Sequence, residues 1–471
     1  MLGKVLTSTL MALALIATFT GCASRAPIKH YELSTELKHG EEKILGGDDW
    51  GIALSGGGLR SALYSMGVMK ALYDQGALQH IKVISSASGG SYAALWLVEE
   101  QMKNLGKPLG ESILSDDKFR RSVCELIGTG NFVTNFEYLD AAFSWHPSRA
   151  SIEMYEASLR RSFGRNPAER TIDQLANATL VKQVPYWIVN TAIHKPDPEH
   201  RLHHGVFEFT PLVTGNQSRG YWRANTGKPV PVVKAVAISG AALAPFLAQP
   251  FEVPSPTGTN EYLELSDGGH VENLAAFALI RRKVKNIIIV DAEMDRYYGF
   301  AAYRKLKKGL VAYGVNLTVG EADQATKFQW TPWRLKQSVM TGTATHPDGS
   351  VSTIVYLKLG LPDSILPLMT VGNMPQAKGG VSQDGSCYTL PNDGQTSTTE
   401  LLRVRMANYA DFRSAFGDFP HFHTVDQSYY TDQTSATLGL GYFQGCDLHD
   451  NSDFKDKIGA AACKPPAGRR R

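Results

Sequence analysis

Residues 50–76 read WGIALSGGGLRSALYSMGVMKALYDQG, and the order of textures inside this stretch decides the class of fold. An apolar run from Trp50 to Leu54 fits a buried strand. Three glycines follow at 56–58, and apolar residues then recur at helical spacing until Gly76 stops the pattern. The alternation repeats at once: IKVISS (81–86) reads as a second strand and GSYAALWLVEEQMKNLG (90–106) as a second helix. Further on, PYWIVNTA (185–192), AVAIS (235–239), YLELSDGG (262–269), NIIIVDAEMD (286–295) and TIVYLKLGL (353–361) read as strands. Short apolar runs alternating with helices predict an α/β fold around a parallel or mixed sheet.

Composition agrees with a globular body. Apolar residues make up 43% of 471 and charged residues 20%, enough to build a sizeable core. The 48 Lys and Arg against 45 Asp and Glu leave +3, too little to point to nucleic acid. The closing GRRR reads as a short exposed tail. No linker divides the chain and no repeat is visible. The stretches 300–350 and 371–398 read as irregular excursions from one core.

Three places carry chemistry. In SGGGLRSA (55–62), consecutive glycines at a strand-to-helix turn can aim backbone N–H groups at a common point, where the helix dipole favours negative charge. This can hold a phosphate or an oxyanion, or simply be a tight turn. Neither the Gly-Lys-Ser/Thr of a phosphate loop nor a G-x-G-x-x-G spacing is present. In SASGG (86–90), Ser88 has a strand before it, small residues on both sides and a helix after it, the setting of a nucleophile elbow. In SDGG (266–269), Asp267 ends a strand and could face Ser88 across the carboxyl edge of the sheet, or cap a helix.

In order and spacing these three stretches resemble the patatin-like phospholipase family, which includes the catalytic portion of cytosolic phospholipases. GVMKALYDQGAL (67–78) is similar to the cytosolic branch, and FEFTP (207–211), AISGAALAP (237–245) and FPHFHTVDQ (419–427) are similar to other family stretches. The resemblance implies a three-layer α/β fold with a central, mostly parallel sheet, helices on both faces and irregular C-terminal excursions. It implies a Ser88–Asp267 dyad with an acyl-enzyme intermediate, an oxyanion hole at Gly56, Gly57 and Gly58, and Arg60 supporting the oxyanion or a lipid phosphate. A salt bridge that only fixes the loop is the competing role for Arg60. The dyad needs no metal or other cofactor, and the implied substrate is a phospholipid or lysophospholipid. One departure is Ser86, where the family's G-x-S-x-G pattern begins with glycine.

Two other functions stay open at this level. A Ser-His-Asp esterase would use Asp267 with His270, His421, His423 or His449. A non-catalytic lipid-binding lipoprotein would keep the fold alone. Asp291, Glu293 and Asp295 cluster at a strand end and read as structural.

The opening MLGKVLTSTLMALALIATFTGCASRAP has one early charge, a short apolar stretch from Leu10 to Phe19, and small residues before Cys22. It is similar to a bacterial lipoprotein signal, too short to span a membrane. The expected division is a signal at 1–21, a lipidated Cys22, a tether at 22–47, the phospholipase domain at 48–445 and a tail at 446–471. Ala23 after the cysteine favours the outer membrane. Of the other cysteines, Cys124 reads as a buried small hydrophobe. Cys387 with Cys446 and Cys446 with Cys463 are both open as disulfides in an exported protein.

Overall fold

The computed structural model describes residues 40–128, 147–164, 170–194, 201–241, 249–253, 261–325, 335–362 and 419–463, apart from 46, 48, 227, 425, 428 and 430. Cys22 with its signal, Cys387 and the 371–398 excursion lie outside them.

The chain begins its sheet with β1 (Trp50–Leu54), turns through the glycines into α1 (Gly58–Asp74), then forms β2 (Ile81–Ala87) and α2 (Gly89–Lys103). After several further helical segments come β3 (Tyr186–Ile193), the meander β4 (Val206–Phe209), β5 (Val213–Asn216) and β6 (Gly220–Arg223), and helix α3 (Val232–Ser239). The hairpin of β7 (Gln249–Val253) and β8 (Glu261–Asp267) follows, then α4 (Phe277–Arg281), β9 (Asn286–Asp291) and α5 (Ala301–Leu310). β10 (Asn316–Val319), β11 (Val339–Thr345) and β12 (Val351–Lys358) complete the sheet, and α6 (Thr431–Cys446) and α7 (Ser452–Ile458) close the described chain.

Ten strands run in the order β10-β11-β12-β9-β1-β2-β3-β4-β5-β6, and the β7–β8 hairpin attaches through β8 to β3. The inner five, β12 to β3, are parallel, and antiparallel strands flank them on both sides. The inner strands are apolar on both faces because helices cover both. Ile52, Leu54, Ile288 and Val290 pack with α1, α2 and α6, whereas Ala53, Ile287 and Ile289 pack with α4 and α5. This is the expected three-layer α/β arrangement.

Three expectations change. AVAIS is part of helix α3, not a strand. A short run buried on every side has no period to separate the two, and Pro231 at the N-cap starts the helix. The tether drawn to residue 47 ends earlier: Glu41 is buried and accepts from both Arg282 Nε (3.0 Å) and the Tyr186 hydroxyl (2.5 Å), and Ile44 is in the core. The tail drawn from 446 is folded to 463. A Cys446–Cys463 disulfide, one of the two open pairings, joins it to α6, and Phe454 meets Trp50 edge-on at 5.4 Å. α6 itself lies along α1, with Tyr64 donating to Gln444 at 2.6 Å.

Candidate active site

Register alone brings Ser88 and Asp267 together. On one side of β3, β4 pairs with Val189–Ala192. On the other side β2 pairs up to Ala87, opposite Asn190. β8 takes over with Asp267 opposite Thr191 and runs the other way. Because β4 already holds Thr191 and Ala192 from its own side, β8 must occupy the row that β2 vacates. β2 and β8 therefore meet nearly head to head at the carboxyl edge, with Ser88 ending one and Asp267 the other. The turn closes here: a side chain on Gly268 would press on Ala87 Cβ and the Asn190 carbonyl.

Ser88 has φ 49° and ψ −125°, a region that only glycine enters freely. Such a residue stores ~1–3 kcal/mol that the surroundings must hold in place. The elbow is 3% exposed at Ser88 and begins α2, whose first residue, Gly89, lies against the Gly58 carbonyl with no room for a side chain. The Ser88 hydroxyl lies close enough to the Asp267 carboxyl to favour its ionised form. Asp267 is also buried, and its Oδ1 accepts from Gly269 N at 2.7 Å. Burial raises its pKa above the ordinary carboxylate value, while the His270 charge, the Ser88 hydroxyl and the Gly269 N–H oppose that rise.

The glycine loop adjoins this pair: a side chain on Gly56 would sit 3.2 Å from Ser88 Cβ. Gly57 (φ 145°) and Gly58 (φ 60°) have backbone angles that other residues rarely adopt. Their N–H groups, at the start of the 17-residue α1, carry no hydrogen bond among the described residues. The Gly56 N–H, by contrast, donates to the Asn273 carbonyl at 2.7 Å. Gly56 is thus removed from the expected set of three donors. Its N–H anchors the loop to the segment that follows Asp267.

Arg60 is 1% exposed, and its guanidinium donates to the carbonyls of Ala292 (2.9 Å) and Phe422 and to the Thr424 hydroxyl (3.3 Å). It ties the glycine loop to β9 and to the 419–427 segment, so loop bracing describes it, through carbonyls and a hydroxyl instead of a salt bridge. Burial lowers its pKa, opposed by Tyr429, Glu293 and Asp291. Gln427 completes the brace, accepting from Leu59 N at 3.1 Å. Gln427 lies in the FPHFHTVDQ stretch and Asn273 four residues beyond SDGG, and nothing in the sequence marks either as a site residue. A glutamine or asparagine in a loop carries no periodic signal of its role.

The histidines make other contacts. His270 Nδ1 pairs with the Ser266 hydroxyl at 3.1 Å. His421 Nδ1 accepts from Asp295 N (3.3 Å), and burial, with Lys358 and Arg60 nearby, pushes its pKa down to about 3. His423 is exposed and His449 lies beside Asp450. No histidine of the described residues hydrogen-bonds to Ser88. The Asp291, Glu293 and Asp295 carboxylates surround Lys358 Nζ at 2.8, 3.8 and 3.2 Å, a buried ionic cluster beneath the brace.

Comparison with known proteins gives this architecture its relatives. Residues 52–280 match the family model described as "Patatin-like phospholipase". The fold is similar to human GIVD cytosolic phospholipase A2 at a TM-score of 0.53 and 13% identity, covering 89% of this chain and 61% of that one. It is similar also to that enzyme in complex with methyl gamma-linolenyl fluorophosphonate, at a TM-score of 0.52 and 15% identity over 89% and 60% of the two chains. The chain thus spans about three fifths of the length of these structures. No curated protein matches its sequence.

Proposed function

We propose, for a chain whose residues 52–280 belong to the patatin-like phospholipase family, a serine-dependent hydrolase of lipid acyl esters. The observation that carries the reading is Ser88 on a strained elbow where β2 meets the end of β8 and its buried Asp267 carboxyl. Ser88 Oγ attacks the ester carbonyl carbon as Asp267 takes its proton. The developing oxyanion is received by the free N–H groups of Gly57 and Gly58, where each such donor is worth ~10²–10³ in rate in other hydrolases. Collapse of the tetrahedral species expels the alcohol, the lysolipid or glycerol portion, which regains the proton from Asp267. Water then enters, gives its proton to Asp267 and releases the fatty acid from Ser88. The raised pKa of Asp267 makes it a stronger base than an exposed aspartate, and the reading uses no metal and no other cofactor. Arg60 acts as a brace of the loop, not as a ligand of the lipid phosphate.

The same proposal places the protein at a membrane. Cys22 would carry the lipid and the residues up to about 39 would form the tether, on the outer membrane of a bacterial envelope. Support for this is the sequence layout alone. Among the described residues no helix is long and apolar enough to cross a bilayer.

The test is fatty-acid release from a panel of phospholipids and lysophospholipids in mixed micelles, followed by mass spectrometry. Wild-type protein is expected to release fatty acid and Ser88→Ala is not. Equal release by both would end the proposal.

A further inference from the structure

Ser86 stands where the family pattern has glycine, and its side chain is spent in a way that glycine could not supply. It is fully buried and accepts from the Trp187 indole N–H at 2.8 Å. Its hydroxyl lies 3.0 Å from that of Ser91, which lies 3.1 Å from that of Ser239. Ser239, the last residue of α3, donates to the Asn190 carbonyl at 2.7 Å and accepts the backbone N–H of Ser88 at 2.9 Å.

These contacts have one consistent direction. A carbonyl can only accept, so Ser239 spends its single hydroxyl proton on Asn190. Ser91 must then donate to Ser239, and Ser86 to Ser91, while Ser86 takes the indole proton. Each hydroxyl donates once, and no member of the chain competes with its neighbour. Ser86, Ser91 and Ser239 are all 0% exposed, so water cannot replace a missing link. The chain ends at two functional points. One is the N–H of the strained Ser88. The other is the Asn190 carbonyl, against which the Gly268 turn following Asp267 is packed.

We infer that Ser239 is a positioning residue for the acylation step, holding Ser88 at its reactive backbone angles through a one-way chain of buried hydroxyls that starts at Ser86. The inference rests on Ser88 being the nucleophile. It follows that restoring the family's glycine at 86 impairs this protein. Losing the Ser86 hydroxyl frees Ser91 to turn its proton elsewhere and loosens its hold on Ser239.

The test uses the full chain in detergent. Labelling of Ser88 by a long-chain alkyl fluorophosphonate is timed and normalised to the folded fraction from circular dichroism, and kcat and KM are measured on a soluble p-nitrophenyl ester. Displacement of a reacting group by an ångström costs ~10²-fold, so Ser239→Ala is expected to slow labelling and kcat by ~10–100-fold with KM unchanged. Ser86→Gly is expected to slow both by a smaller factor in the same direction. A purely structural role would lower the melting temperature and leave the normalised rates alone, and that result overturns the inference. So does a Ser86→Gly protein that labels as fast as wild type, which also decides the matter if Ser239→Ala does not fold. Labelling that persists in Ser88→Ala instead overturns the nucleophile assignment, and is read separately.

Discussion

Replacing Ser88 by glycine and, separately, by alanine measures how much strain the elbow holds. Both variants lose the hydroxyl and with it any contact with Asp267, so that loss cancels in the comparison. The two differ in what φ 49°, ψ −125° costs them. Alanine keeps the strain of ~1–3 kcal/mol, whereas glycine adopts the angles freely. Against this, glycine has the more disordered unfolded chain, worth ~0.4–1 kcal/mol. The net expectation is a Ser88→Gly protein more stable than Ser88→Ala by about 0.5–2 kcal/mol. That order reverses the usual one, in which alanine is the better residue within or beside a helix. Urea unfolding of both variants at equal slope gives the difference from the midpoints. An alanine variant equal to or more stable than the glycine variant would refute the strained elbow.

Other expectations follow from the same contacts. Asp267 must be ionised to accept a proton, and its pKa lies above the ordinary value. Acylation should therefore be full above that raised pKa and fall as pH drops through it. Asp267→Asn should abolish acylation without loss of stability, because the folded state favours the protonated carboxyl; an active Asp267→Asn protein would exclude it as the base. Deleting residues 1–47 removes Glu41 from its buried pair with Arg282 (2.9 Å), whereas deleting 1–39 spares it. Arg282 keeps Glu208 at 2.7 Å, so the longer deletion should be less stable by about 1.5–3 kcal/mol, and equal urea midpoints would return residues 40–47 to the tether. Arg60→Gln should lower the melting temperature while leaving KM for phospholipid and for an uncharged ester equally affected. A KM rise confined to the phospholipid would restore its role as a phosphate ligand.

The sequence exposed what depends on local order. The strand, glycine turn and helix of 50–76 are each contiguous, so β1, the loop and α1 stand where their pattern put them, and Ser88 was separable from three neighbouring serines by what flanks it. Asp267 was legible as a strand-end acid. What was not legible is that β8 runs antiparallel and meets β2 end to end, since pairing direction is a tertiary outcome. Gly56 was grouped with its neighbours because three glycines look alike in sequence, and only the Asn273 carbonyl distinguishes its N–H. The covering of α1 by α6 was hidden for the same reason, because chain segments over 350 residues apart leave no mark of their contact in a single sequence.

The most direct measurement is the site of covalent capture. The full-length protein is treated with an alkyl fluorophosphonate in detergent, digested, and the modified peptide sequenced by mass spectrometry. The account predicts one adduct, on Ser88, absent from both Ser88→Ala and Asp267→Asn. An adduct on another serine, or none while the protein still hydrolyses lipid, would contradict it.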